Sequence, residues 1–293
     1  MNSIFRDLVL SNIFSHTKKN HLSSHISTIL PHLKYMLSKI KSIWRQRSGY
    51  KKLLLQWGIK YKCPICGFHA RYFNPIGIDN PTIQKYQIIG AGTRDAGCPK
   101  CGSTDRERLL YTYLNYEIEI FKKPNTKILH IAPEIIIMQK FLEHGFTNYH
   151  CGDFFAKGQH ANYSLDMVKH MDVQNLPFDD ETFDLVICNH VLEHVYDEEK
   201  ALKEIYRVLR ERGSAILQVP ISPILEKTIS DPSITDSEIL EEKFGQKDHV
   251  RLFGRDYPLK LELAGFKVEI LQLKSKYPKF GFNPKEMLYV GRK

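Results

Sequence analysis

A chain of 293 residues, 42% of them hydrophobic and 26% charged, has room for one large domain and a smaller appendage, and its composition is that of an ordinary soluble protein. The net charge of +9 is unevenly placed: residues 1–78 carry 13 Lys/Arg against one acid, Asp7, and the remainder carries 29 against 32. Leu8-Val9-Leu10 breaks at Ser11 and Asn12, too short a run for a secretory signal, and no stretch approaches the roughly 18 apolar residues of a membrane-spanning helix.

These exclusions predict a cytoplasmic protein, in which six cysteines read as metal ligands or buried thiols and not as disulfides. Residues 1–30 are polar, rich in Ser, His and Asn and without a period, as in a loosely ordered arm. From Leu33 the pattern turns helical: Leu33, Met36, Leu37, Ile40, Ile43 and Trp44 share one face, flanked by Lys34, Lys39, Lys41 and Arg45. Pro31 suits the first turn, and Gly49 ends the pattern. A basic amphipathic helix over residues 33–46 fits an anionic membrane surface, which would make the protein peripheral at the inner face of the membrane. Alternatively, its stripe docks on the protein's own body. The arm and this helix are assigned to residues 1–60.

Residues 61–103 form the second region. Cys63-Pro-Ile-Cys66-Gly and Cys98-Pro-Lys-Cys101-Gly are two copies of one knuckle, CPxCG, with 31 residues between Cys66 and Cys98. Four thiolates close a tetrahedral Zn²⁺ site with no open position, so the site reads as structural, a zinc ribbon. A redox CxxC pair is the competing reading, and the duplication with Pro and Gly in register favours zinc. Tyr72, Phe73, Tyr86, Ile88 and Ile89 are candidates for the strands of the ribbon. Its place beside a basic segment keeps nucleic acid open as a partner; a folding and docking role is the alternative.

The third region, residues 104–293, alternates strand and helix. A helix is expected over 104–121, with Leu109, Leu110, Tyr113 and Leu114 on one side, and Lys122–Thr126 is a linker at the edge of the larger domain. Strands are expected at 127–131, 147–152, 169–173, 183–189, 215–219, 266–271 and 287–290. Helices are expected at 135–144, at 198–210 with Gly213 as its terminator, and through 259–263 closed by Gly265. The run Phe183-Asp-Leu-Val-Ile-Cys-Asn189 is apolar enough for a strand covered on both faces. The predicted fold is α/β: a doubly wound, mostly parallel seven-stranded sheet.

The segment Phe178-Asp-Asp-Glu-Thr-Phe-Asp-Leu-Val-Ile-Cys-Asn-His-Val-Leu-Glu-His-Val195, followed by Asp197, Ala201, Glu204 and Tyr206-Arg-Val-Leu-Arg210, resembles the centre of the class I S-adenosylmethionine-dependent methyltransferases of the "type 11" kind. The resemblance covers about residues 127–293. The ribbon, together with His130-Ile-Ala-Pro-Glu134 and Phe244-Gly-Gln-Lys-Asp-His-Val-Arg251, narrows it to a bacterial subgroup often associated with surface glycan synthesis. It implies S-adenosylmethionine as cofactor and an acceptor that is a sugar, a glycan precursor or another small molecule.

In a doubly wound sheet the ligand lies beyond the carboxyl ends of the strands. Asp153, closing the second strand, is placed for both ribose hydroxyls, Asp172 for the adenine amino group and Val173 for the ring. His130, Ala132, Glu134 and Asn189 complete the cofactor set. For either aspartate a turn-capping role is the alternative. Where relatives carry Asp-x-Gly-x-Gly, this chain keeps only the small Ala132, followed by Pro133, which has no amide hydrogen to donate. Either Glu134 contacts the cationic methionine end of the cofactor, or binding is weakened or lost.

His190 and His249 are the candidate catalytic residues on the acceptor side, and His194 reads as a packed or hydrogen-bonded histidine. Residues 223–256 form a predicted lid, whose Lys243, Lys247, Arg251 and Arg255 stand among Phe244, Phe253 and Tyr257 as a grip for an acidic sugar. A solvated charged loop is the alternative. Two further functions remain open: an RNA methyltransferase held on RNA by ribbon and arm, and a binding protein that has lost its cofactor.

Overall fold

The computed structural model describes residues 51–155 and 167–293. The predicted arm and the basic helix of 33–46, with the membrane and nucleic-acid contacts expected of them, lie outside the described residues. The chain divides into two units, Met1–Leu55 and Gln56–Lys293, and the cysteine region and the large sheet both belong to the second. Among the described residues no helix is long and apolar enough to cross a membrane.

The cysteine region begins with β1 (Trp57–Lys62) paired antiparallel to β2 (His69–Ala70), with the first knuckle between them. A second antiparallel pair, β3 (Asn74–Ile76) and β4 (Arg94–Gly97), leads into the second knuckle. The ribbon strands predicted at Tyr86–Ile89, between β3 and β4, are not formed. The chain instead makes α1 (Pro81–Lys85), with Pro81 in the first turn and the Asn80 side chain capping the amide of Ile83. Ile89 leaves the ribbon to bridge with Ile221 of the larger domain.

The expected helix over 104–121 is in three pieces. α2 (Asp105–Thr112) starts at a capping box made by Thr104 and Glu107, runs into a π-helical turn at Tyr113–Glu117, and ends in a 3-10 turn at Ile120–Lys122. The large sheet comprises β5 (Ile128–Ile131), β6 (Tyr149–Asp153), β7 (Val168–His170), β8 (Phe183–Cys188), β9 (Leu209–Ile216), β12 (Lys267–Leu271) and β13 (Leu288–Arg292), in the order β12-β13-β9-β8-β5-β6-β7. The five strands β5–β9 of this sheet are parallel, and β13 runs antiparallel to both β9 and β12. The predicted doubly wound, mostly parallel sheet of seven strands is the one observed.

Helices α3 (Ile135–Glu143), α4 (Glu198–Val208) and α6 (Tyr257–Leu263) complete the layers. Strand β8 explains why both faces are covered: Leu185 and Ile187 belong to the core shared with α3 and the cysteine region, while Phe183, Val186 and Cys188 belong to the core under α4 and α6. Two expectations fail at β9. Helix α4 ends at Val208, and the strand begins at once at Leu209. Gly213 therefore terminates no helix; it lies in a bulge, where the register against β8 jumps from Phe183↔Leu209 to Leu185↔Ser214.

After β9 come the short pair β10 (Ile229–Ser230) and β11 (Arg251–Leu252) and the helix α5 (Ser237–Phe244). This insertion meets the α1 region: Asn80 Nδ2 donates to the Gly245 carbonyl (2.6 Å), Thr82 Oγ1 to that of Glu242 (2.5 Å), and Ser222 Oγ to that of Tyr86 (2.7 Å). Ile83 and Ile88 pack with Leu240, Phe244, Val250 and Leu252. Two excursions far apart in sequence thus make one roof beside the carboxyl ends of β8 and β9. The predicted sugar grip is corrected accordingly. Phe244, Phe253 and Tyr257 are buried in hydrophobic cores, Arg251 is buried, and Lys243, Lys247 and Arg255 are paired with Asp231, Glu238 and Glu226.

Candidate cofactor and acceptor site

Strand order reverses between β5 and β8, so the crevice at their carboxyl ends is the place for a ligand. At the end of β5 the chain turns sharply: Ala132 stands at φ +48°, and its amide donates to the Gly152 carbonyl of β6 (2.8 Å). That left-handed conformation costs an L-residue roughly 1–2 kcal/mol and is tolerated where the surroundings enforce it. Ala132→Gly is therefore expected to raise stability by up to about 1 kcal/mol in a urea melt, and Ala132→Val to lower it.

Glu134 opens α3 and is held from two strands. His130 Nε2 meets its Oε2 at 2.8 Å, and Asn189 Nδ2, just past β8, donates to its Oε1 at 3.1 Å. Burial pushes this carboxyl up, but the His130 hydrogen bond and charge, with Asn189, more than reverse the effect and hold it below its usual value. The structure places His130 behind Glu134, 0% exposed and with its Nδ1 on the Tyr149 hydroxyl (2.7 Å). Asn189 keeps one buried atom, Oδ1, without a partner.

The two tip aspartates both cap turns. Asp153 Oδ1 accepts from the Phe155 amide at 2.8 Å, and Asp172 Oδ1 accepts from the Gln174 amide at 2.9 Å. Asp153 is partly exposed, and Val173 beside Asp172 is buried.

His190 follows Asn189, at φ +52°. Its amide donates to the Gln218 carbonyl (2.7 Å), its Nδ1 faces Glu193 Oε1 (3.2 Å), and its Nε2 is buried without a partner. Burial, then Arg106, push His190 below the usual imidazole range against the pull of Glu193. His249 is buried with its ring edge-on to His194, centroids 4.7 Å apart, and burial drives it down to about 4. For His194 burial acts downward too, but the Asp248 carboxylate on its Nδ1 and the charge of Glu193 raise it to about 9. The expectation of a hydrogen-bonded His194 agrees with this position.

Glu193, Gln218 and Glu286 have no role predicted from sequence. Glu193 Oε2, Gln218 Oε1 and Glu286 Oε2 are buried without partners, as are Asn189 Oδ1 and His190 Nε2, and all five belong to side chains at or beside the ends of β8 and β9. Gln218 Nε2 reaches Glu286 Oε1 at 3.4 Å, and a Cβ on Gly90 of the roof would stand 3.5 Å from that oxygen and 3.7 Å from the His190 ring. These unsatisfied groups form one buried polar cluster able to take hydrogen-bonding partners. The signal for Glu193 is present in the sequence as the spacing His190-x-x-Glu193-His194; Gln218 and Glu286 carry none.

Glu286 gives the cluster a pH signature. Burial, with the charge of Asp105, pushes its carboxyl up to about 7 against Arg106, Arg94 and the Gln218 amide. Folding therefore takes up a proton between the ordinary value of 4.5 and about 7. Stability that is complete below the lower value is lost as pH rises through the upper one. Wild type is expected to lose about 3 kcal/mol across that window relative to Glu286→Gln, read by urea denaturation at pH 4.5 and 8.

The four cysteines converge as the spacing requires. Cys63 and Cys101 Sγ are 3.7 Å apart, as are Cys66 and Cys98 Sγ, and all four sulfurs lie within 4.8 Å of one another. A tetrahedron of sulfurs around zinc has edges of about 3.8 Å, so the donor set and the spacing fit that ion.

The strand order, with its reversal between β5 and β8, is that of a doubly wound, Rossmann-like fold. Residues 140–217, about a quarter of the chain, match the family model described as a methyltransferase domain. The chain is 39% identical over 98 residues to an uncharacterized protein of Methanocaldococcus jannaschii, covering 33% of this chain and 36% of that one. It is 32% identical over 78 residues to the uncharacterized methyltransferase YcgJ of Bacillus subtilis, covering 24% and 31%. The chain thus spans about a third of the length of these relatives. The crystal structure of the B. subtilis YcgJ protein superposes on 62% of this chain and 98% of its own, at 16% identity and a TM-score of 0.39.

Proposed function

We propose that the protein transfers a methyl group from S-adenosylmethionine to a hydroxyl of a sugar, a glycan precursor or another small molecule. The observation that carries this reading is the row of buried, unpartnered polar atoms from Asn189 to Glu286, beside the Ala132–Glu134 turn at the switch in strand order. When bound, the cofactor supplies an electrophilic methyl on a sulfonium.

Asp153 would take the ribose hydroxyls, Asp172 the adenine amino group and Val173 the ring edge. Ala132, small and left-handed, lets the backbone come close, and Glu134, steadied by His130 and Asn189, offers its charge to the cationic methionine end. The displacement needs alignment and loss of the hydroxyl proton more than covalent chemistry. His190 would take that proton through its unpartnered Nε2, with His249 nearby on the roof. Zn²⁺ held by Cys63, Cys66, Cys98 and Cys101 serves folding and docking, because four sulfurs leave no position for substrate.

The resemblance to a glycan-associated subgroup supports the choice of acceptor. The test is to incubate the full chain and methyl-labelled cofactor with fractionated extract of the source cell. Label in polysaccharide, its lipid-linked precursors or small sugars is expected; label in RNA would replace this acceptor with the alternative one.

A further inference from the structure

We propose that Glu193, His194 and His249 form a second metal site, separate from the four cysteines, which binds a divalent transition-metal ion beside the buried polar cluster. Each side chain offers one ligand atom, and the three atoms lie within 4.8 Å of one another. Two imidazoles and one carboxylate are a donor set for ions such as Zn²⁺, Mn²⁺ or Co²⁺, and three protein ligands leave positions open for substrate.

Independent features of the structure point the same way. Glu193 is 2% exposed, and its Oε2 has no hydrogen-bond donor, an arrangement a cation would complete. Its other oxygen is held by His190 Nδ1 at 3.2 Å. The Nδ1 of His194 is held by Asp248, through the backbone carbonyl at 3.1 Å and the carboxylate at 3.2 Å, which leaves Nε2 for a ligand. Ligand side chains fixed from behind by a second layer of partners are the usual construction of a metal site. Among the described residues no hydrogen bond to the His249 ring competes for its nitrogens.

The backbone around the three ligands is also tied. The Val250 amide donates to the Glu193 carbonyl at 2.9 Å, fixing the roof residue next to His249 onto the turn that carries the other two ligands. Buried Arg251 binds the carbonyls of Leu192, Val195 and Tyr196 and pairs with Glu198 at 2.8 Å. Strain points here as well, since His190, which steadies Glu193, is left-handed at φ +52°. Tetrahedral nitrogen and oxygen ligands would sit about 3.3 Å apart, inside the 4.8 Å within which these three atoms already lie.

The site lies one turn beyond Asn189. A cation there would bind a sugar hydroxyl, or two vicinal ones, and favour transfer of the hydroxyl proton to His190 Nε2. The oxygen–carbon bond then forms as the carbon–sulfur bond of the sulfonium breaks, and the sulfur departs as a neutral thioether. This catalytic role rests on the proposed methyl transfer; the binding of the ion does not.

The test titrates Co²⁺ into the full-length chain with the cysteine site already loaded with zinc, following cobalt absorption and metal content. The expected result is one further equivalent of Co²⁺ bound without thiolate-to-cobalt charge transfer. His249→Ala should weaken it about 100-fold and Asp248→Asn about 10-fold. Calorimetry with S-adenosylhomocysteine reports on the folding of each variant and on the proposed function. If the nucleoside fails to bind wild type while cobalt binds, the methyltransferase reading falls and the metal site stands. Absence of a second equivalent in wild type, or equal affinity in His249→Ala, overturns the metal site.

Discussion

Cys98→Ser, or removal of zinc by a strong chelator, is expected to lower the melting temperature of the whole Gln56–Lys293 unit by about 10 °C or more. The ribbon shares its interior with the domain: Cys63, Phe73 and Cys98 lie in one buried cluster with Leu109, Ile128, Phe141 and Val290. Ions in structural zinc sites contribute about 10–16 kcal/mol of apparent binding free energy in isolated peptides, so a damaged site forfeits several kcal/mol of folding free energy. In a domain of this size each kcal/mol corresponds to about 2–4 °C. Circular dichroism melts with metal analysis check the result. An unchanged melt in the chelated protein would show that the four cysteines pack without metal.

The second large effect is expected at Arg108. Its guanidinium is 0% exposed, lies 4.0 Å over the Phe73 ring, and donates to four carbonyls: Phe280 and Gly281 at 2.8 Å, Ala96 and Ser103 at 2.7 Å. One side chain thus fastens both halves of the ribbon to the segment before β13. A Cβ on Gly281 would stand 2.1 Å from the Phe73 ring, so the approach admits only glycine there. Arg108→Ala takes a charged donor from four carbonyls, of which that of Ser103 keeps the Cys98 amide as a backbone donor, and leaves a void, a loss of about 4 kcal/mol or more in urea denaturation. Arg108→Lys should recover little, because an ammonium cannot serve four carbonyls spread around a planar fork.

These two sites differ in how readable they were. The cysteine site could be inferred from a duplicated five-residue pattern, because its geometry is local at each knuckle. Arg108 could not, because its acceptors at Phe280 and Gly281 lie 172 and 173 residues along the chain. The same contrast runs through the fold. Strand β8 was legible because burial on both faces leaves a continuous apolar run, and Gly265 did close α6. Gly213 misled, since a bulge that swallows residues 210–213 between paired positions of β9 has the local composition of a helix end. The aromatics of the supposed lid misled for a related reason: an aromatic that stacks on a ligand and one that fills a core have the same local sequence. At the site, Glu134 and Asn189 stand at two separate strand ends in the sequence, and the structure joins them through one hydrogen bond. His130, expected as a direct cofactor ligand, instead hydrogen-bonds Glu134. Glu286 was invisible because its neighbours come from β4, the roof, α2 and the end of β9, all distant from it in sequence.

The proposed methyl transfer requires a sulfonium nucleoside to seat between β5 and β8 with its ribose on Asp153. Isothermal titration of S-adenosylmethionine into the wild-type chain and into Asp153→Ala measures this directly. One saturable equivalent in wild type, weakened about 100-fold in the variant by loss of two charge-assisted hydrogen bonds, is the predicted result. No heat in wild type, or equal affinity in the two proteins, would contradict it.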